Sequence, residues 1–165
     1  MKLIAEKLAK NDKYDRLRYV RADGSETVSP MPRQGTLPHD LVHYVVESTL
    51  PLRHGFLGLV AMGADAAFVM QAVHDRANAD VETEAVQAEA IVEALQTQLW
   101  SANFVREDFD EGVRGACAAR GKPALDFAGI DPQRDLFDRA LELNARWERL
   151  PWFQDMTLDF QPRDA

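Results

Sequence analysis

At 165 residues, 46% hydrophobic and 28% charged, the chain has the composition of an ordered globular protein and not that of a disordered one. Net charge is −8, and eight Lys and Arg against five Asp and Glu in residues 1–33 leave the remainder strongly acidic, so most of the surface repels a phosphate backbone and nucleic acid is not an expected partner. Cys117 is the only cysteine, which rules out an intramolecular disulfide and paired-cysteine metal sites and fits a reducing, cytoplasmic setting.

Charges at Glu6, Lys7 and Lys10 interrupt the first residues before an apolar leader could form, and no export signal is expected. Tyr14 to Val20 and Glu26 to Met31 read as strands, with turn signals at Asn11-Asp12 and Asp23-Gly24. Leu3, Ile4 and Leu8 suit a strand or a helix nearly equally, and with the strand reading the first 35 residues form an antiparallel meander closed by Pro30, Pro32 and Gly35. Arg16 and Arg18 alternate with Leu17 and Tyr19 and are expected on an outward sheet face, where basic side chains guard against edge pairing.

Leu37 to Leu50 is the first helix, with Thr36 as cap, Pro38 in the first turn and Pro51 at its end. At about 100° per residue, Leu37, Leu41, Val42, Tyr44, Val45 and Val46 form a broad apolar arc, and His39, Asp40, His43 and Glu47 share the remaining strip. Gly55 to Arg76 is an apolar core element, a buried helical hairpin or a single core helix. Asp65 at its middle would cost roughly 2.5–3.5 kcal/mol in a bilayer, so no membrane span is expected. Gly55, Gly58 and Gly63 are read as packing glycines, because the Lys-Ser/Thr that ends a phosphate loop is missing.

Ala79 to Trp100 is the longest helix, with Val81, Ala85, Ala88, Val92, Leu95 and Leu99 stepping by four and three. A further helix starts at Asp131-Pro132 and repeats that stepping through Leu136, Ala140, Leu143, Trp147 and Leu150, so the two seams are expected to pair. Between them only a short helix near Asp110 to Arg120 is read, with Cys117 buried and inert. Trp100, Trp147 and Trp152 are assigned to core packing, and Met156 to Phe160 alternates as a last strand for the N-terminal sheet. With no repeat and no linker composition, the expected architecture is one α+β domain: a small antiparallel sheet packed with three or four helices.

His39 and His43 stand four apart, so their rings leave one helix face a turn apart, as two imidazoles on one metal ion must. A third ligand is required, and the candidates are Glu47, His54, His74, Asp65 and Glu84. Glu47 lies two turns from His39, roughly 12 Å along the axis, and so would serve beside His43 or orient an imidazole. The same five residues, His39-Asp40-Leu41-Val42-His43, resemble the zincin metallopeptidase motif H-E-x-x-H, which implies a catalytic role for Asp40 in the place of the glutamate that activates water. Asp40 is one methylene shorter than that glutamate, and the downstream ligand of the zincin subfamilies is missing at its usual position.

The longer string from Leu37 to Glu47, Leu-Pro-His-Asp-Leu-Val-His-Tyr-Val-Val-Glu, with Gly55-Phe56-Leu57-Gly58-Leu59-Val60-Ala61 after it, resembles a group of small bacterial proteins without an assigned activity, which implies a bacterial cytoplasmic origin. The leading expectation is a small divalent-metal protein, zinc first, acting as a hydrolase through His39, His43, Glu47 and Asp40. The competing expectation is a non-catalytic interaction protein that forms homo-oligomers through its apolar helix seams.

Overall fold

The structure, a computed structural model, describes residues 1–163. Four strands, β1 (Lys2–Glu6), β2 (Tyr14–Val20), β3 (Glu26–Pro32) and β4 (Asp155–Asp159), form an antiparallel sheet in the order β3-β2-β1-β4. The first three make the expected meander, and the C-terminal strand closes the other edge by pairing Leu158 with Leu3. Leu3, Ala5, Leu17, Tyr19, Met31 and Leu158 point inward at every second position, the period that a half-buried strand imposes. Arg16 and Arg18 point outward as expected, and there they pair with Glu6 and Glu26.

The β2–β3 connection is longer than the two-residue turn that Asp-Gly suggests. Arg21 N donates to Ser25 O (2.9 Å), which leaves a three-residue loop with Gly24 at φ +84°, the left-handed position such loops reserve for glycine.

Six helices cover the inner face: α1 (His39–Thr49), α2 (Phe56–Ala61), α3 (Ala66–His74), α4 (Thr83–Ser101), α5 (Arg106–Ala119) and α6 (Asp138–Arg149), the last preceded by a π-helical segment at Gln133–Phe137. Asp131 opens that segment by accepting from the amides of Gln133 and Arg134, with Pro132 at the position where its missing N–H costs nothing. None of the helices is long and apolar enough to cross a membrane.

Three expectations are corrected. The seam of α4 does not pair with that of α6: it packs on α5 and α1, and α4 is buried on nearly every side, carrying Gln87, Glu89, Gln96 and Gln98 into the interior with its apolar residues. Thr36 does not cap α1, whose N-cap is Pro38 with no side-chain hydrogen bond, while the Gly55 to Arg76 element takes the two-helix form expected of it, α2 and α3 broken at Gly63 (φ +113°). Of the tryptophans only Trp147 is core: Trp100 and Trp152 are 55% and 41% exposed, and Trp152 lies over the cations of Lys7 and Arg33. Cys117 is buried, and burial pushes its thiol pKa up.

Two glycines around α2 are demanded by close approach. A Cβ on Gly58 would stand 2.0 Å from the carbonyl oxygen of Arg53, and one on Gly55 would stand 2.3 Å from Oε2 of Glu47. The Gly55→Ala substitution should therefore displace the Glu47 carboxylate from the end of α2 and cost roughly 1–3 kcal/mol, as overpacking does. Urea denaturation should show this as a lowered midpoint at unchanged slope, whereas Gly115→Ala, in open space on α5, should not lower it.

Candidate metal centre

The polar strip of α1 is not a wet face. His43 and Glu47 are fully buried and Asp40 nearly so, and only His39 keeps a fifth of its side chain exposed. The members of the strip hydrogen-bond to groups of α4, α2 and the sheet, and His39 and His43 share one of them.

Glu89, on the side of α4 that faces α1, is the hub. Its carboxylate takes His43 Nε2 at 2.9 Å, His39 Nε2 at 3.3 Å and His74 Nε2 at 2.8 Å. His74 closes α3 and reaches back over the two α1 imidazoles, its ring 6.0 Å from that of His39. Burial alone would raise the Glu89 pKa, but three imidazoles within hydrogen-bonding range hold it well below the ordinary carboxylate value. Its hydrogen bond to Glu89 in turn raises the His74 pKa.

His43 is set between two acids. Its Nε2 faces Glu89, and its Nδ1 stands 3.0 Å from Glu47 Oε1. Burial opposes the imidazolium, yet the two carboxylates outweigh it and lift the pKa to about 10. Both nitrogens then donate, and neither has a lone pair for a metal ion. Glu47 is held from its other side, where Oε2 accepts from the amides of Leu57 (2.9 Å) and Gly58 (3.4 Å) at the N-terminus of α2. The anion that this glycine-flanked helix start binds is the protein's own carboxylate.

His39 is oriented from outside the cluster. Gln34 Nε2 donates to Leu37 O (2.7 Å) and to Gln96 Oε1 (2.9 Å), which identifies the Gln96 oxygen as an acceptor. That oxygen lies 3.2 Å from His39 Nδ1, so Nδ1 carries the proton and donates to it. The Nε2 of a neutral His39 therefore aims a lone pair at the Glu89 carboxylate. Two electron-rich groups in that position need a positive charge between them, either a proton on the ring or a metal ion.

His39, His74 and Glu89 each offer one ligand atom, and these atoms all lie within 4.8 Å of one another. Tetrahedral ligands about 2.0–2.1 Å from an ion stand ~3.3 Å apart. His39 already has that separation from the carboxylate, whereas His74, half exposed, stands closer to it at 2.8 Å. Of the ligands read from the sequence, His39 belongs to this group, while His43 and Glu47 stand behind it, because the nitrogens of His43 are committed to carboxylates and Glu47 is committed to α2. His74, a candidate third ligand, is brought in. His54 instead donates its backbone amide to Glu84, and Asp65 caps α3 at the amide of Phe68.

Asp40 turns away from α4 toward the sheet, where its Oδ2 accepts from Tyr19 (3.2 Å) and Ser29 (2.9 Å). Burial and the neighbouring Asp40 charge raise the Tyr19 pKa well above its usual value, which keeps the phenol a donor. Asp40, His39 and His74 all line one cavity of about 430 Å³ between α1, α3 and the β3 edge. A second cavity, about 370 Å³, lies on the α4–α5 side and is lined by His74, Glu89 and Glu93.

The residue that sequence reasoning missed is Glu89. Its signal is an acid inside an otherwise buried stretch, with Ala85, Ala88, Val92 and Leu95 around it, and seven residues before Gln96 on the same helix face. No protein-family model, curated protein or solved structure significantly matches the chain.

If His43 is the cation that two buried acids depend on, His43→Ala leaves both uncompensated and should lower stability by roughly 3–5 kcal/mol. His54→Ala, at a partly exposed ring whose nearest acid, Glu84, is 3.8 Å away, should change it by less than about 0.5 kcal/mol. Equal denaturation midpoints for the two variants would remove His43 from that role.

Proposed function

We propose that this protein binds one divalent transition-metal ion, zinc in the first instance, through His39, His74 and Glu89, and that it acts as a hydrolase. The observation that carries the reading is the convergence of two Nε2 atoms on one buried carboxylate, with the tautomer of His39 fixed by Gln96 so that its lone pair faces inward. Two histidines and a carboxylate are a ligand set of catalytic zinc sites and of non-haem iron sites. An ion held by three protein ligands keeps a position for water or substrate and makes a water there far more acidic.

The residues behind the ligands support the same reading. His43 hydrogen-bonds Glu89 and holds its carboxylate in place, Glu47 holds His43, and the amides of α2 hold Glu47. Such outer partners orient ligands and tune their basicity. Asp40 is the acid that lines the cavity shared with His39 and His74. Two hydroxyls anchor its Oδ2, and among the described residues no hydrogen bond engages its Oδ1, which is the atom assigned to accept a proton from water. Asp40 thus keeps the role of base that its place after His39 suggests.

Self-association through the helix seams has less to support it. Val81 ahead of α4, Ala85, Ala88, Val92, Leu95 and Leu99 of α4, and Leu136, Ala140, Leu143 and Trp147 around α6 are buried within the single chain, and Leu150 is partly buried.

Natively purified, untagged protein should carry about one divalent metal ion per chain by elemental analysis. The His39→Ala/His74→Ala double variant and Glu89→Gln should carry none, and His54→Ala should keep it. Metal well below one per chain and indifferent to the double substitution would overturn the site.

A further inference from the structure

The two cavities that meet at His74 differ in chemistry, and the difference selects a ligand class. The one on the α4–α5 side is charged, with Arg76, Arg120, Glu89 and Glu93 among its lining residues. Arg120 is engaged by the carbonyls of Val73 and Asn78, and the carboxylates of Glu89 and Glu93 share the space with Arg76. The cavity between α1, α3 and the β3 edge has no Lys or Arg among its lining residues, and its apolar wall includes Pro30, Pro32, Phe56 and Met70. At about 430 Å³ it lies in the range of small-molecule sites, roughly 300–1,000 Å³.

Most of the polar groups in this cavity are already engaged. Ser29 donates to Asp40, and the Gln34 amide donates to Leu37 and Gln96. An anionic ligand such as a phosphate ester would find no Lys or Arg in the wall and would meet Asp40. An uncharged ligand loses little on leaving water and gains the burial of its apolar part.

We infer that the cavity takes a small uncharged molecule with an apolar body that presents a single carbonyl-type oxygen toward His39 and His74. This rests on the metal reading for the oxygen and on the cavity wall alone for the apolar body, so the two parts are separable by experiment.

The test uses zinc-loaded protein titrated calorimetrically with octanohydroxamic acid, acetohydroxamic acid and inorganic phosphate. Both hydroxamates chelate through the same head, so the six extra methylenes report on the wall, and octanohydroxamate should bind at least about 100-fold more tightly. Ala67→Trp, an exposed position on the cavity lining, should erase most of that advantage while leaving acetohydroxamate binding and zinc content unchanged. Octanamide, which does not chelate, should show saturation transfer by NMR with metal-free protein, lost in Ala67→Trp. That last result with no zinc uptake would sink the metal centre and uphold the ligand class. Equal affinities for the two hydroxamates, or phosphate binding more tightly than octanohydroxamate, would overturn the inference, as would octanamide transfer that Ala67→Trp leaves intact.

Discussion

Glu89 puts a carboxylate on the central helix of the fold, where the flanking residues of α4 are buried and water has little access. An ionised carboxylate left there alone costs several kcal/mol, and the helix packs only because partners reach it from elsewhere. His39 and His43 come from α1, and His74 from the end of α3. The position of α3 over α1 and α4 is therefore constrained by one oxygen pair as well as by apolar contact. The restraint extends further back: the amides of α2 hold Glu47, Glu47 holds His43, and Gly55 is a glycine because a Cβ would occupy the place of the Glu47 carboxylate.

The four polar residues of α1 divide between two layers because the strip spans more than one direction. His39, His43 and Glu47 recur every fourth residue and follow one line along the helix, facing α4 and α2, whereas Asp40 sits about 100° around and faces the sheet. The Asp40 contact with Tyr19 and Ser29 ties α1 to β2 and β3, which places the cavity between the edge strand and α3. A helix with four polar residues can thus be buried almost entirely, since each polar group has a partner and no buried side-chain polar atom among the described residues is left without one.

β2, β3, α1 and the last helical region were legible because they depend on local signals: alternation for β2 and β3, Pro38 near the start of α1, where it is the N-cap in place of Thr36, and Asp131-Pro132 ahead of the π-helical segment. Legibility failed where burial was total. An α4 surrounded by protein shows its alternating seam and hides the rest, so Glu89 reads as a solvated glutamate and the pairing with α5 is not visible in the spacing. His39 was readable as a candidate ligand from its spacing to His43, and the structure groups it instead with His74 and Glu89. Four residues put the two rings on one line, 5.0 Å apart, but only the tertiary structure sets Glu47 against one of them and brings His74, thirty-odd residues on, against the other. The third ligand of a site built from three helices belongs to topology, and periodicity carries no trace of it.

Charge balance explains why the second histidine of the α1 pair stands behind the centre. Glu47 and Glu89 bring two negative charges into the interior, and the His43 imidazolium between them compensates one. One negative charge then remains for His39 and His74 to answer, and each points its Nε2 at Glu89 to do so. A proton on either ring restores neutrality, and a divalent ion does the same with one charge to spare for an ionised water or an electron-rich ligand atom. A metal ion held by His39 and His74 would compete with the proton for the same two lone pairs. Were His43 a ligand as well, Glu47 would lose its only cation, and the α2 amides would have to hold the buried carboxylate unaided. The arrangement in which His43 keeps its protons, and His39 and His74 supply the lone pairs, is the one in which the two buried glutamates of the cluster, Glu47 and Glu89, share a cation within hydrogen-bonding distance.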